Sequence, residues 1–168
     1  MGEYFMKYRS INRLSDFEFH DSEWFLVELS SSALVVDVKL LNIHENAPQN
    51  NESCDMEIEV ARITFDLFSL HSFGPSVVWK TNPDGSSQPT EPLQEYIGEE
   101  GIPLFLNEFG RTVTVFRFEP TEDNCWILSA AADDPYFEAA FSFGRVTIEW
   151  DAYRRPAWYV RKQRGLHN

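Results

Sequence analysis

The residues best suited to chemistry lie in FEFHDSEWF, residues 17–25, where His20 and Asp21 precede Ser22 and Glu23 between aromatic side chains. A carboxylate beside an imidazole can orient it for general-base work. Neighbours on a strand, however, point to opposite faces, so His20 and Asp21 can serve one site only in a turn. His-Asp-Ser-Glu is also good turn material, because Asp and Ser side chains bond nearby backbone groups. The stretch reads first as the polar corner where one strand ends and the next begins. His44 and His71 fall near the ends of other strands, with Asp21, Asp55 and Asp66 as neighbouring carboxylates. Histidines from separate elements can meet around zinc, and a small-molecule or metal-binding domain, or a hydrolase, would draw first on His20, Asp21, His44 and His71. No His-Glu-x-x-His spacing supports such a site, and Cys54 and Cys125 cannot make a four-thiolate one. The expectation is no metal and no cofactor.

Other constellations are weaker. SFGPS and GEEG are too short and wrongly composed for phosphate loops, and the Gly-x-Ser-x-Gly elbow of hydrolases is absent. TEDN at 121–124 and ADD at 132–134 bring carboxylates together, but both read as solvated hairpin ends.

The elements that must position these residues are strands, because the hydrophobic period is mostly two. WFLVELS at 24–30 sets Phe25, Val27 and Leu29 on one face. A serine turn leads to ALVVDVKLLNIH at 33–44, with Leu34, Val36, Val38 and Leu40 on one face, so the two runs form an antiparallel hairpin. MEIEVARITFDLF at 56–68 begins with Met56, Ile58 and Val60 inward and Glu57 and Glu59 outward. Its phase then flips to Ala61, Ile63, Phe65 and Leu67, as it does between Leu40 and Leu41. Such flips signal bulges or a sharp bend in the sheet. Further strands are expected at 76–80, 111–119, 125–132 and 135–150, the last folded as a type II′ hairpin at Gly144-Arg145. EPLQEYIG suits a short helix with Pro92 in its first turn and Gly98 at its end, and Leu104, Leu106 and Phe109 belong in the core. Residues 45–55 and 81–92 read as exposed loops. Pro156 marks a turn, after which Trp158 and Tyr159 pack on the body and residues 163–168 fray. The expected fold is one domain over 1–168, mainly β with an α+β character: a bent antiparallel sheet, or partly closed barrel or sandwich, with at most one or two short helices.

The 168 residues carry a formal charge of −13. Residues 151–168 hold five cations against Asp151 alone, a charge of +4, leaving 9 basic and 26 acidic residues elsewhere, a charge of −17. A body this acidic repels phosphate backbones, which excludes nucleic acid as a partner, and no apolar run has the ~20 residues of a membrane span. The N-terminus has no apolar signal segment, and two distant cysteines fit a reduced cytoplasmic protein. The basic tail reads as an internal counter-charge that folds back against the body. Excess acid would steer a basic protein toward the surface, with Glu99, Glu100, Glu122, Asp123, Asp133 and Asp134 in the acidic turns as contact residues. Exposed edge strands leave monomer and homodimer both open.

Two stretches carry a resemblance. FEFHDSEWFLVELSSSALVVDV at 17–38 resembles the opening of small bacterial β-rich proteins with a His-Asp-Ser corner and a hairpin. VTIEWDAYRRPAWYV at 146–160 resembles their closing strand and aromatic tail. Compact acidic proteins similar to these occur among the immunity proteins encoded beside polymorphic toxins. The two stretches make up about a fifth of the chain. The resemblance implies a non-enzymatic protein-binding role and supplies no catalytic residues.

Overall fold

The computed structural model describes residues 5–132 and 136–165. In chain order the elements are β1 (Tyr8–Ile11), a 3-10 turn (Leu14–Asp16), β2 (Phe17–Glu18), β3 (Glu23–Leu29), β4 (Ala33–Lys39), β5 (Asn42–Ile43), β6 (Met56–Ile58), β7 (Ala61–Asp66), β8 (Ser69–Gly74), β9 (Trp79–Thr81), β10 (Ser87–Pro89), β11 (Tyr96–Ile97), a second 3-10 turn (Gly98–Gly101), α1 (Ile102–Phe109), β12 (Val113–Pro120), β13 (Trp126–Ala131), β14 (Phe137–Ser142), β15 (Arg145–Trp150), β16 (Tyr153–Pro156) and α2 (Trp158–Gln163). Ten strands form one antiparallel sheet in the order β1-β15-β7-β4-β3-β12-β13-β14-β8-β11, and β16-β6-β5-β2 form a smaller one. The large sheet bends but does not close into a barrel; β1 and β11 are its ends.

The bend is built into two strand pairs. β7 and β8 are consecutive in the chain yet lie in different parts of the sheet, and so do β14 and β15. β7 pairs with β15 and β8 with β14, so two long strands run antiparallel and turn the corner together. Strands that change sheet through a bend make the corners where sheets pack face to face. Leu67 turns with φ 57°, and Gly144 N–H donates to the Asp66 carbonyl at 2.8 Å. A Cβ on Gly144 would stand 2.9 Å from Leu67 Cδ1, so the two turns lie against each other. The expected hairpin at Gly144-Arg145 is therefore a corner instead. β14 and β15 bond to other strands, and Gly144 is not among the glycines of positive φ that a type II′ turn needs. Inside the bend the Phe65 ring lies 5.4 Å from Phe141 and 6.0 Å from both Trp24 and Phe118. One apolar cluster continues from these rings to Ile43 and Ile58 in the small sheet.

The two phase flips mark where the chain changes sheet. β4 belongs to the large sheet and β5 to the small, and Leu40 between them has φ 60°. β6 belongs to the small sheet and β7 to the large. The register irregularities of the large sheet fall elsewhere, at Leu26/Glu28, Val115/Arg117 and Ala140/Phe141. The first reverses part of the face expected for 24–30. Trp24 is fully buried and Leu26 and Leu29 pack on the core, while the bulged Val27 is 44% exposed. Val60, expected inward, also lies exposed, in the link between the sheets.

Several other expectations change. The helix forms at 102–109, with Pro103 rather than Pro92 in its first turn, because Tyr96 and Ile97 are drawn onto β8 as an edge strand. Phe109 is buried, and Leu104 packs partly against the core. Residues 81–92 contain part of a small hairpin, β9 with β10, whose turn is closed by Asn82 N–H to the Ser86 carbonyl at 2.7 Å. The 45–55 loop is tied inward: Ala47 and Asn50 are buried, and the Asn50 amide donates to the carbonyls of Ile43, His44 and Cys54. Pro156 ends a strand rather than making a turn, and Trp158 remains 45% exposed. Of the tail expected to fray, Gln163 ends α2, Arg164 N–H bonds the Val160 carbonyl and Gly165 N–H that of Lys162, while 166–168 lie outside the described residues.

The basic tail closes the small sheet. β16 pairs with β6, and Arg154 and Arg155 each reach Glu57 at 3.2 Å. Glu57, expected outward, is 4% exposed because its strand is interior to that sheet. A buried carboxylate requires a partner. Replacing both arginines with alanine should therefore lower stability by about 2–3 kcal/mol, toward the low end for breaking a buried pair because both guanidinium groups are partly solvated. Urea denaturation should show the loss as a lower midpoint at unchanged slope.

Candidate functional site

The His20 corner is anchored to the bulge of β12. Asp21 stands at φ 67°, a conformation that Asp tolerates better than most side chains. Its N–H donates to the Val115 carbonyl at 2.8 Å, and Val115 N–H returns the bond to the Ser22 carbonyl at 2.8 Å. His20 Nδ1–H donates to the carbonyl of the bulged Phe116 at 2.9 Å, and its Nε2 lies 3.5 Å from Asp21 Oδ1. Both side chains are more than half exposed. Ser22 faces the other way and is fully buried. It donates to the Phe19 carbonyl at 2.6 Å and accepts from Trp24 Nε1 at 3.0 Å. The pattern thus fastens strands β2, β3 and β12 together.

His44 sits in different surroundings. Its Nδ1–H donates to Asp55 Oδ2 at 2.9 Å, the Tyr159 hydroxyl donates to the same oxygen at 2.5 Å, and Glu45 N–H donates to Oδ1 at 2.8 Å. Burial alone would raise the Asp55 pKa, but the bonds from Tyr159, His44 and the Glu45 backbone together carry it below the ordinary carboxylate value. Burial first, and then the bond to Asp55, push the Tyr159 phenol well above its usual range. Asp55 thereby fastens α2 to the 44–55 loop. The Asp55–Tyr159 link was invisible in the sequence, where 104 residues separate the pair.

His71 is on β8, where Nε2 and Ser142 Oγ are 2.7 Å apart. Asp66 is paired with Arg145 at 3.0 Å. The three histidines thus have separate partners, and among the described residues no three His, Cys, Asp or Glu side chains gather as a metal ion would require. A groove of about 600 Å³ runs between the β3–β4 turn, the β7–β8 corner and α1. Phe68, Leu70, Ile102 and Leu106 line it, Glu99 is its only ionised residue, and none of His20, Asp21, His44 or His71 reaches it.

Glu99 and Glu100 are exposed on the 3-10 turn over β8, whereas Glu122 and Asp123 are exposed on the β12–β13 turn. The two pairs sit on elements separated in the sheet by β14. Asp133 and Asp134 lie outside the described residues.

The arginines are largely neutralised within the chain. Arg9 pairs with Glu149, Arg13 with Asp16, Arg62 with Asp37, Arg117 with Glu119 and Glu138, Arg145 with Asp66, and Arg154 and Arg155 with Glu57. Such pairs add little stability at the surface, but they decide where net charge remains. Residues 81–110 carry Asp84, Glu91, Glu95, Glu99, Glu100 and Glu108 and no Lys, Arg or His. All but Glu108 are exposed, and Glu108 is half-buried. This acidic segment wraps the β8–β11 end of the sheet.

No family model matches the chain, and neither a curated protein nor a solved structure matches it.

Two predictions follow from these contacts. Ser22→Ala leaves a buried indole N–H without its acceptor and a carbonyl without its hydroxyl donor, and should cost about 1–3 kcal/mol by chemical denaturation. The Asp55 cluster should shape stability against pH at both ends. Asp55 has a depressed folded pKa, so its contribution is full above the unfolded value near ~4 and is lost as pH falls through the folded one. Tyr159 has a raised folded pKa, so its contribution is full below the unfolded value near ~10 and is lost as pH rises beyond it. Asp55→Asn should flatten the acid side of the profile and Tyr159→Phe the alkaline side, read as denaturation midpoints across pH.

Proposed function

We propose that this protein is a non-enzymatic bacterial protein-binding module, similar in role to the immunity proteins, that meets a basic protein partner in the cytoplasm through the acidic segment 81–110. The observation that carries this reading is the internal pairing of the arginines. It occupies the arginines within the body, so that the cation-free stretch at one end of the sheet presents its six carboxylates, nearly half of the net charge of −13, without counter-charge of its own. Surface charge of one sign speeds encounter and orients docking, and discriminates against acidic competitors. The large sheet beneath gives this face a rigid backing, and preorganisation reduces the entropic cost of association. Glu99 and Glu100 belong to this face; Glu122 and Asp123 would extend the acidic field from the neighbouring turn.

Photo-crosslinking from position 95 or 99 in the native cell, compared with position 45, would identify the partner. With that partner purified, replacing Glu95, Glu99 and Glu100 together by lysine should slow association about tenfold or more at low salt, with a smaller effect on dissociation. The same change at Glu45 and Glu52 should act weakly. A partner whose contact surface is acidic, or an association rate indifferent to salt, overturns the reading.

A further inference from the structure

The acidic segment also borders a cleft with a more specific chemistry. About 340 Å³ in volume, it is lined by Trp79 from β9, Leu93 and Glu95 from the approach to β11, and Tyr136 and Glu138 at the start of β14. Trp79, Leu93 and Tyr136 are 45%, 62% and 50% exposed, an unusual concentration of apolar surface on a charged face. An adjoining groove of about 350 Å³ shares Tyr136 and Glu138 and adds Phe116, whose ring meets that of Tyr136 edge-on at 6.3 Å. The two carboxylates are not equivalent. Glu138 is held by Arg117 at 3.1 Å and approached by Ser129 Oγ at 3.4 Å. Glu95 has no such partner among the described residues, and no cation lines the cleft.

From this geometry we infer that the cleft between Trp79 and Tyr136 is the anchor site for an arginine side chain of the partner. The inference rests on the basic-partner reading above and names how such a partner is gripped. Aromatic faces attract a guanidinium through their quadrupoles, and a planar guanidinium stacks on them as an ammonium does not. Glu95 supplies the acceptor for its N–H groups. Tryptophan and tyrosine in a pocket beside a free carboxylate are also the residue types that carry most interface energy. The internal Arg117–Glu138 pair shows the same chemistry at the cleft wall, already satisfied, which leaves Glu95 for an incoming group.

The test is an NMR titration of the intact protein with a blocked Gly-Gly-Arg-Gly-Gly peptide and its citrulline counterpart, which keeps the shape and loses the charge. The arginine peptide should shift the Trp79 indole N–H and the Tyr136 signals saturably, and the citrulline peptide should not. Trp79→Ala should weaken binding about fivefold, with Trp79→Phe partly restoring it, and Glu95→Gln should weaken it about threefold. Trp79 stands on a hairpin outside the core cluster, so unchanged spectral dispersion elsewhere would show that these variants fold. Equal response to both peptides, shifts spread evenly over Glu45, Glu52, Glu122 and Asp123, or no saturable shift would overturn the cleft. Each of those results leaves the acidic-face reading to its own salt-dependence measurement. A salt-indifferent partner would topple that reading even if the cleft took up arginine.

Discussion

The structure depends on one antiparallel ladder that bends. Because β7–β8 and β14–β15 stay paired on both sides of the corner, the chain folds a single sheet over its own aromatic rings without a second layer of helices. Everything at the surface is placed by this device. The corner sets one wall of the groove beside α1, carries β8 round to receive β11, and delivers β15 to the edge where β1 pairs with it. Rings from the two arms meet at right angles, as Phe65 does with Phe141 and Phe118, an arrangement that aromatic quadrupoles favour.

Charge is organised on that frame with little waste. Arginines pair across neighbouring strands of the large sheet, as Arg62 does with Asp37, or from the tail onto Glu57. Cross-strand placement puts opposite charges side by side at modest entropic cost. A cation-free part of the acidic surplus lies between Lys80 and Arg111, with four of its six carboxylates, Glu91, Glu95, Glu99 and Glu100, on the approach to α1. The stretch between Lys80 and Arg111 serves both ends: Phe105 and Phe109 of α1 are buried in the core, while its carboxylates carry unbalanced charge at the surface.

Much of the fold was legible because half-buried strands alternate. Leu34, Val36 and Val38 are fully buried in the pattern expected, and the corner at His20 was marked by its turn residues. The phase flips at Leu40/Leu41 and Val60/Ala61 were real signals of a change in direction, but a one-residue slip reads the same whether a strand bulges or leaves one sheet for another. The false hairpin at Gly144 has the same origin: alternation on both sides of a glycine reports two strands and says nothing about whether they pair. β1 was missed because Tyr8–Ile11 buries only Ser10 fully and shows no apolar rhythm. Local turns and composition marked Glu99 and Glu100 as exposed acids, whereas the contact of Asp55 with Tyr159, and the cleft that Trp79 and Tyr136 both line, are made by the topology over distances no local pattern spans.

The arrangement of the small sheet bears on how the chain is made. Glu57 leaves the ribosome 97 residues ahead of Arg154 and 98 ahead of Arg155. Until those arginines emerge, β6 has neither its outer neighbour nor its counter-ions, and burying its carboxylate is unfavourable. The large corner can nucleate only once β14 and β15 exist, a few residues earlier still. Completion of both sheets is therefore deferred to the closing stage of synthesis, although the β3-β4-β7 ladder has all its strands within the first 66 residues.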